Sequence, residues 1–217
     1  MFKNGQFIGL FALLVLSIGG VNAEKKAEKG KVALTKALAY VNSSESLAMI
    51  FKTKTYWEAM EEWQTASGKL WVSGKKKFRL FLEDLEVLSD GEKYWQYSIE
   101  NKQVVLEDAK NQGAGKRPSD VLLGFLQCKA LGQKRSGTGK SSLLEIELEP
   151  SKTLDNYDSL RVYLDPKTFS PKKVYTVDKA HNVMWYILTE IRTGVKFNKD
   201  DFTFVLPKDV ELIDMRD

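Results

Sequence analysis

Between Leu47 and Phe204 apolar residues recur mainly at every second position, and this period predicts strands. The candidates are 48–57, 59–65, 67–73, 77–83, 85–88, 93–99, 103–107, 142–149, 159–165, 173–178, 183–192 and 202–206. Turn chemistry separates several of them: Ser89-Asp90-Gly91, Asp165-Pro166, Ser170-Pro171 and the stretch from Asp178 to Asn182. The pattern predicts a long antiparallel meander. Some strands are one-sided, with Leu144, Ile146 and Leu148 alternating against Glu145, Glu147 and Glu149. Others are apolar on both faces: Phe78, Leu80 and Leu82 oppose Phe81, and Val183, Trp185 and Ile187 oppose Met184, Tyr186 and Leu188.

Two stretches carry helical spacing instead. In "VALTKALAYV", residues 32–41, Leu34, Ala37, Leu38 and Val41 share a face, behind a charged stretch 24–31 expected to fray. A glycine-rich loop then leads into Pro118-Ser119, a helix start, followed by the apolar set Val121, Leu122, Phe125 and Leu126. A curved sheet with an apolar concave face needs something to fill it. Two readings follow: ordinary core packing, or a cavity for an apolar ligand.

The N-terminus follows another pattern. Met1-Phe2-Lys3 opens a long apolar run that ends at Val21-Asn22-Ala23 before Glu24. This reads as a signal peptide over residues 1–23, with 24–217 as one exported domain and the periplasm as its place. An uncleaved anchor is the alternative, and the run falls short of the ~20 residues a span needs. Cys128 is the single cysteine, which excludes an internal disulfide. No cysteine stands after Ala23 to carry a lipid.

Charge and motifs add little chemistry. The net charge of +4 is mild, and the run Lys75-Lys76-Lys77 has no interleaved aromatics, so nucleic acid is not an expected partner. His181 is the lone histidine, so neither a metal site nor a cofactor site is expected. "GTGKSS" at 137–142 lacks the first glycine of a phosphate loop, since Lys134 stands there, and it runs into a strand. "NSS" at 42–44 matches a glycosylation sequon by chance. No acid, base and nucleophile converge, and an enzyme is not expected.

The order of motifs is more telling. Gly68, Leu70 and Val72 are followed by Lys77-Phe78-Arg79, then by Leu88-Ser89-Asp90-Gly91 with Trp95 and Tyr97. A proline with an apolar helix follows at 118–126, and the chain closes with Phe202, Phe204, Pro207 and Val210. Together these resemble the LolA family of periplasmic carriers of outer-membrane lipoproteins. The resemblance implies an α+β, mainly β, fold: an unclosed antiparallel half-barrel with a helical lid over an apolar cavity. It implies a monomer whose partners are acylated lipoproteins, an inner-membrane ATP-driven transporter and an outer-membrane acceptor. On that reading the sheet wall comprises Leu70, Val72, Phe78, Leu80, Leu82 and Val87, and the lid comprises Val121, Leu122, Phe125 and Leu126. Trp95 and Tyr97 would line or flank the lipid site. Where the family often has Arg-Pro, with the arginine latching the lid, this chain has Gly74-Lys75. RseB-like envelope sensors and carriers of other lipids share the half-barrel and form the alternative reading.

Overall fold

The computed structural model describes residues 9–111 and 118–216, with no side-chain description for residues 9–21, 118, 119 and 140. Helix α1 (Gly9–Val41) precedes six strands: β1 (Ser46–Trp57), β2 (Glu62–Ser73), β3 (Lys77–Phe81), β4 (Leu85–Ser89), β5 (Lys93–Ser98) and β6 (Gln103–Asp108). Helix α2 (Pro118–Leu126) interrupts the sheet. Six more strands follow: β7 (Lys129–Ser136), β8 (Leu143–Glu149), β9 (Tyr157–Leu164), β10 (Pro171–Asp178), β11 (Val183–Thr193) and β12 (Glu211–Asp214). All twelve form one unclosed sheet in the order β12-β6-β5-β4-β3-β2-β1-β11-β10-β9-β8-β7. Every pairing is antiparallel except that of β12 with β6. The expected mainly-β half-barrel with two helices is the fold observed.

Directly paired residues share a face, so the register sorts the sheet into two sides. The inner side runs through Leu80–Leu70–Met49–Ile191, and through Val174–Val162–Ile146 in the other arm. Helix α1 lies across this side with Ala33, Leu34, Ala37 and Val41 buried, and α2 adds Leu122, Phe125 and Leu126 to the same core. Gly30 sets the closeness of α1: a Cβ there would come within 2.9 Å of Ala130 Cβ and 3.2 Å of Ile146 Cγ2. Residues 24–31, expected to fray, are helical, because contact with β7 and β8 holds this part of α1 to the sheet. Among the described residues, no helix is long and apolar enough to cross a membrane.

Four expectations about strands are corrected. Stretches 59–65 and 67–73 belong to one strand, β2, and the turn lies at 58–61, where Glu61 adopts a left-handed φ of 53°. The stretch 202–206 is not a strand: a 3-10 turn, Lys199–Phe202, gives way to irregular chain. Its Phe204 instead stacks on Trp95 from the outer side, with centroids 5.8 Å apart. Strands β7 and β12 stand where the period-two pattern predicts none. The Asp90-Gly91 hairpin is as expected: Gly91 has φ +100°, and Asp90 Oδ1 accepts hydrogen bonds from the Glu92 and Lys93 amides at 2.8 Å.

Candidate functional site

The inner side gathers most of the residues singled out in the sequence. Leu70, Phe78 and Val87 are buried in the core, and Val72 and Leu80 pack against it half-buried. Leu82 follows the end of β3 and folds over Gly68, where an added Cβ would meet its Cδ2 at 2.8 Å and the Phe51 ring at 2.5 Å. From α2, Leu122, Phe125 and Leu126 reach the same core. Phe125 is 1% exposed, with its ring 5.8 Å from Tyr157 and 6.2 Å from Tyr186.

Two site expectations do not fit their places in the fold. Trp95 and Tyr97 pair with Leu88 and Glu86, on the side of the sheet away from Leu80 and Val87. There both rings contact Phe204. The hairpin ring on the inner side is Tyr94, 6.2 Å from Phe78, and burial pushes its phenol up, helped by nearby Glu107. Val121, one helical turn before Phe125, is 38% exposed at the rim of the buried face of α2. The period-two pattern already separates Tyr94 from Trp95 and Tyr97, yet names neither side as the inner one.

A cavity of about 440 Å³ opens where the lid meets the sheet. Its wall includes Val41 of α1, Leu47, Val72, the Gly74-Lys75 turn, and Asp120, Leu122 and Leu123 of α2. Position 74 therefore borders the lid. The Gly74 amide donates to the Glu45 carbonyl at 2.7 Å, its φ is +62°, and no atom lies within 4 Å of where a Cβ would sit. The space suits a longer side chain; the backbone favours glycine. A second cavity of about 600 Å³ runs between α1 and Leu126–Ala130. Cys128 lies on its wall, buried, with its thiol pushed up by burial. Among the described residues no His, Cys, Asp and Glu cluster could hold a metal ion.

Tyr186 links the lid to pH. Burial drives its phenol up to about 12, from 10.0. A raised acid favours the protonated form in the folded state. Its contribution is complete below pH 10 and is lost as pH climbs toward 12. Two pKa units correspond to roughly 2–3 kcal/mol. We expect wild type to lose stability between pH 10 and 12, and Tyr186→Phe to flatten that slope in denaturant titrations. Equal slopes would place the ionising group elsewhere.

A buried apolar wall and an apolar helix thus meet at a cavity. A family model described as "Outer membrane lipoprotein carrier protein LolA" matches residues 42–205. The chain belongs to the LolA family. The matched span begins just after α1 and includes both the sheet wall and the lid. No curated protein matches the sequence. Among solved structures, an uncharacterized conserved protein from Thermus thermophilus is 10% identical, with 86% of this chain and 99% of that one covered and a TM-score of 0.53. A DUF1329 family protein from Desulfovibrio piger is 11% identical, covering 82% and 97%, with a TM-score of 0.47. A LolA superfamily protein from Nitrosomonas europaea is also 11% identical, covering 82% and 98%, with a TM-score of 0.41. At these identities the likeness concerns the fold alone, and the Thermus protein carries it.

Proposed function

We propose that this LolA-family protein is a periplasmic carrier, exported by cleavage after Ala23, that shields the acyl chains of lipoproteins between the inner and outer membranes. The observation that supports it most is the lid junction: α2 covers an apolar sheet wall, and a cavity of about 440 Å³ already opens beside it. Pockets for small ligands span roughly 300–1,000 Å³, so this opening is small for several acyl chains. Loading then requires α2 to move away from Leu70 and Tyr186 and give its place to lipid.

Energetics set the mechanism. Three acyl chains hold roughly 48 methylenes, worth about 38 kcal/mol against water at ~0.8 kcal/mol each. Non-covalent affinity saturates near 18–21 kcal/mol. The carrier therefore exchanges one apolar surrounding for another of similar quality. Extraction from the inner membrane draws on an ATP-driven transporter, and delivery to the outer-membrane acceptor follows a modest affinity gradient. Depleting the protein should leave lipoproteins in the inner-membrane fraction. Correct sorting after depletion would favour an envelope-sensor role instead.

The turn at position 74 tunes the lid. With Gly74, the latching charge falls to Lys75, which borders the cavity, or to Lys76, each a flexible point charge. Gly74→Arg should carry a guanidinium into the open space there, at about 1–2 kcal/mol of left-handed backbone cost. Hydrogen exchange across 118–130 should then slow in the empty protein, and lipoprotein release should slow with it. Unchanged exchange would show that the lid is held by apolar contact alone.

A further inference from the structure

Strand β2 is longer than its neighbour β3. It pairs with β1 along its whole length, from Ser73 to Glu62, without a bulge. On its other side β3 covers only Lys69–Ser73. Beyond Phe81 the chain turns away through Leu82–Asp84 into β4. The stretch "EWQTASG", residues 62–68, thus forms an open edge inside the sheet, with no strand partner on that side among the described residues. At about 3.3 Å per residue it extends roughly 23 Å.

Sheet edges are ordinarily blunted by lysine, proline or a bulge. This one carries no lysine or proline, and residues 62–66 are exposed. In an antiparallel edge every second residue turns both N–H and C=O outward, and an extended backbone is the partner whose spacing matches that row.

Side-chain anchors stand at both ends, on one face. At the hairpin end Trp63 is 45% exposed, steadied by Tyr56 at 5.3 Å and by Lys54 at 4.4 Å from its ring centre. At the step, a cavity of about 450 Å³ is lined by Ile50, Gly68, Lys69, Trp71, Phe81 and Leu82. Trp63, Lys69 and Trp71 lie at odd positions of β2 and so share the outer face. Alternate side chains of one incoming strand would meet Trp63 and the cavity in turn. The charge is lopsided too. Glu58, Glu61 and Glu62 stand at the hairpin end and Glu83 and Asp84 at the step, and none of the five forms an ion pair with a described residue.

We propose that Glu62–Gly68 is a docking edge for an extended segment of a partner protein. The segment adds as a strand in line with β3, with apolar side chains on the outer face and basic residues at its ends. The edge lies at the far end of β2 from the Gly74 turn, so it can be occupied while the lid moves.

The test uses the exported protein as purified and a capped nine-residue peptide, Val-Thr-Val-Thr-Val with two lysines at each end. Hydrogen exchange should slow within residues 62–68 on adding peptide. Glu62→Lys/Glu83→Lys should weaken binding tenfold or more, and so should N-methylating alternate peptide amides. The proposal is overturned if millimolar peptide gives no protection there, or if the N-methylated peptide binds equally well. It is also overturned if 62–68 becomes protected with rising protein concentration alone, since the occupant is then a second copy of this chain.

Discussion

Replacing Phe125 with glutamate should abolish lipoprotein binding and lift α2 from the sheet. Phe125 is almost wholly enclosed, between Tyr157 and Tyr186, and belongs to the same buried cluster as Leu70. An unpaired carboxylate there costs several kcal/mol, so the helix leaves or the group takes up a proton. Losing the ring adds the cost of the emptied volume, about 3–5 kcal/mol for Phe→Ala. The strands do not pass through this helix, and α1 still packs Leu34, Ala37 and Val41 against the sheet. The sheet should therefore persist in far-UV spectra while exchange across 118–130 rises sharply. Leu122→Glu should behave alike. Glu147→Lys, on the outer face of the sheet, should retain binding within a few-fold. Wild-type binding by Phe125→Glu would remove α2 from the site.

Gly30→Leu is expected to destabilise the whole domain. Helix α1 comes so close to the sheet that a Cβ at position 30 already falls within 2.9 Å of Ala130 Cβ. Overpacking of this kind costs about 1–3 kcal/mol, less the ~0.8–1.0 kcal/mol that a helix gains on losing glycine. The larger the shift that α1 makes to relieve the clash, the more of its contact with β7 and β8 is lost. We expect Tm to fall by roughly 2–4 °C per kcal/mol lost. Gly124→Ala is the contrast. A Cβ there meets only Leu154 Cδ1, at 3.9 Å, so the same helical gain is kept and Tm should rise. A rise in both variants would mean that α1 is not pinned at Gly30.

The sequence made the sheet legible wherever one face was apolar and the other polar. Leu144, Ile146 and Leu148 against Glu145 and Glu147 fix both the strand and its inner side, and Glu145 then sits beside Lys134 and Arg161 on the outer face. Strand β7, "KALGQKRS", offers no such alternation. Its inner positions include Gln133 and Arg135, and α1 lies against it. Strand β12 has four residues and depends on a parallel partner, β6, more than a hundred positions earlier. The 58–61 turn hides because a glutamate, not a glycine, takes the left-handed conformation. Phe202 and Phe204 imitate a strand by their spacing, but the irregular segment that carries them packs against outer-face rings. The apolar face of α2, Val121, Leu122, Phe125 and Leu126, is readable from helical spacing, and all but Val121 are buried, whereas Trp95 and Tyr97 lie on the outer side of the sheet. A two-sided strand gives the alternation without its sign.

On the proposed mechanism the inner face exchanges the lid for lipoprotein acyl chains. That exchange is tested most directly by purifying the exported protein from the periplasm, without detergent, and analysing what accompanies it by intact-complex mass spectrometry. Lipoprotein should be bound one to one to wild type and absent from Phe125→Glu. Wild type free of any acylated protein, under conditions in which lipoproteins are being exported, would contradict that mechanism.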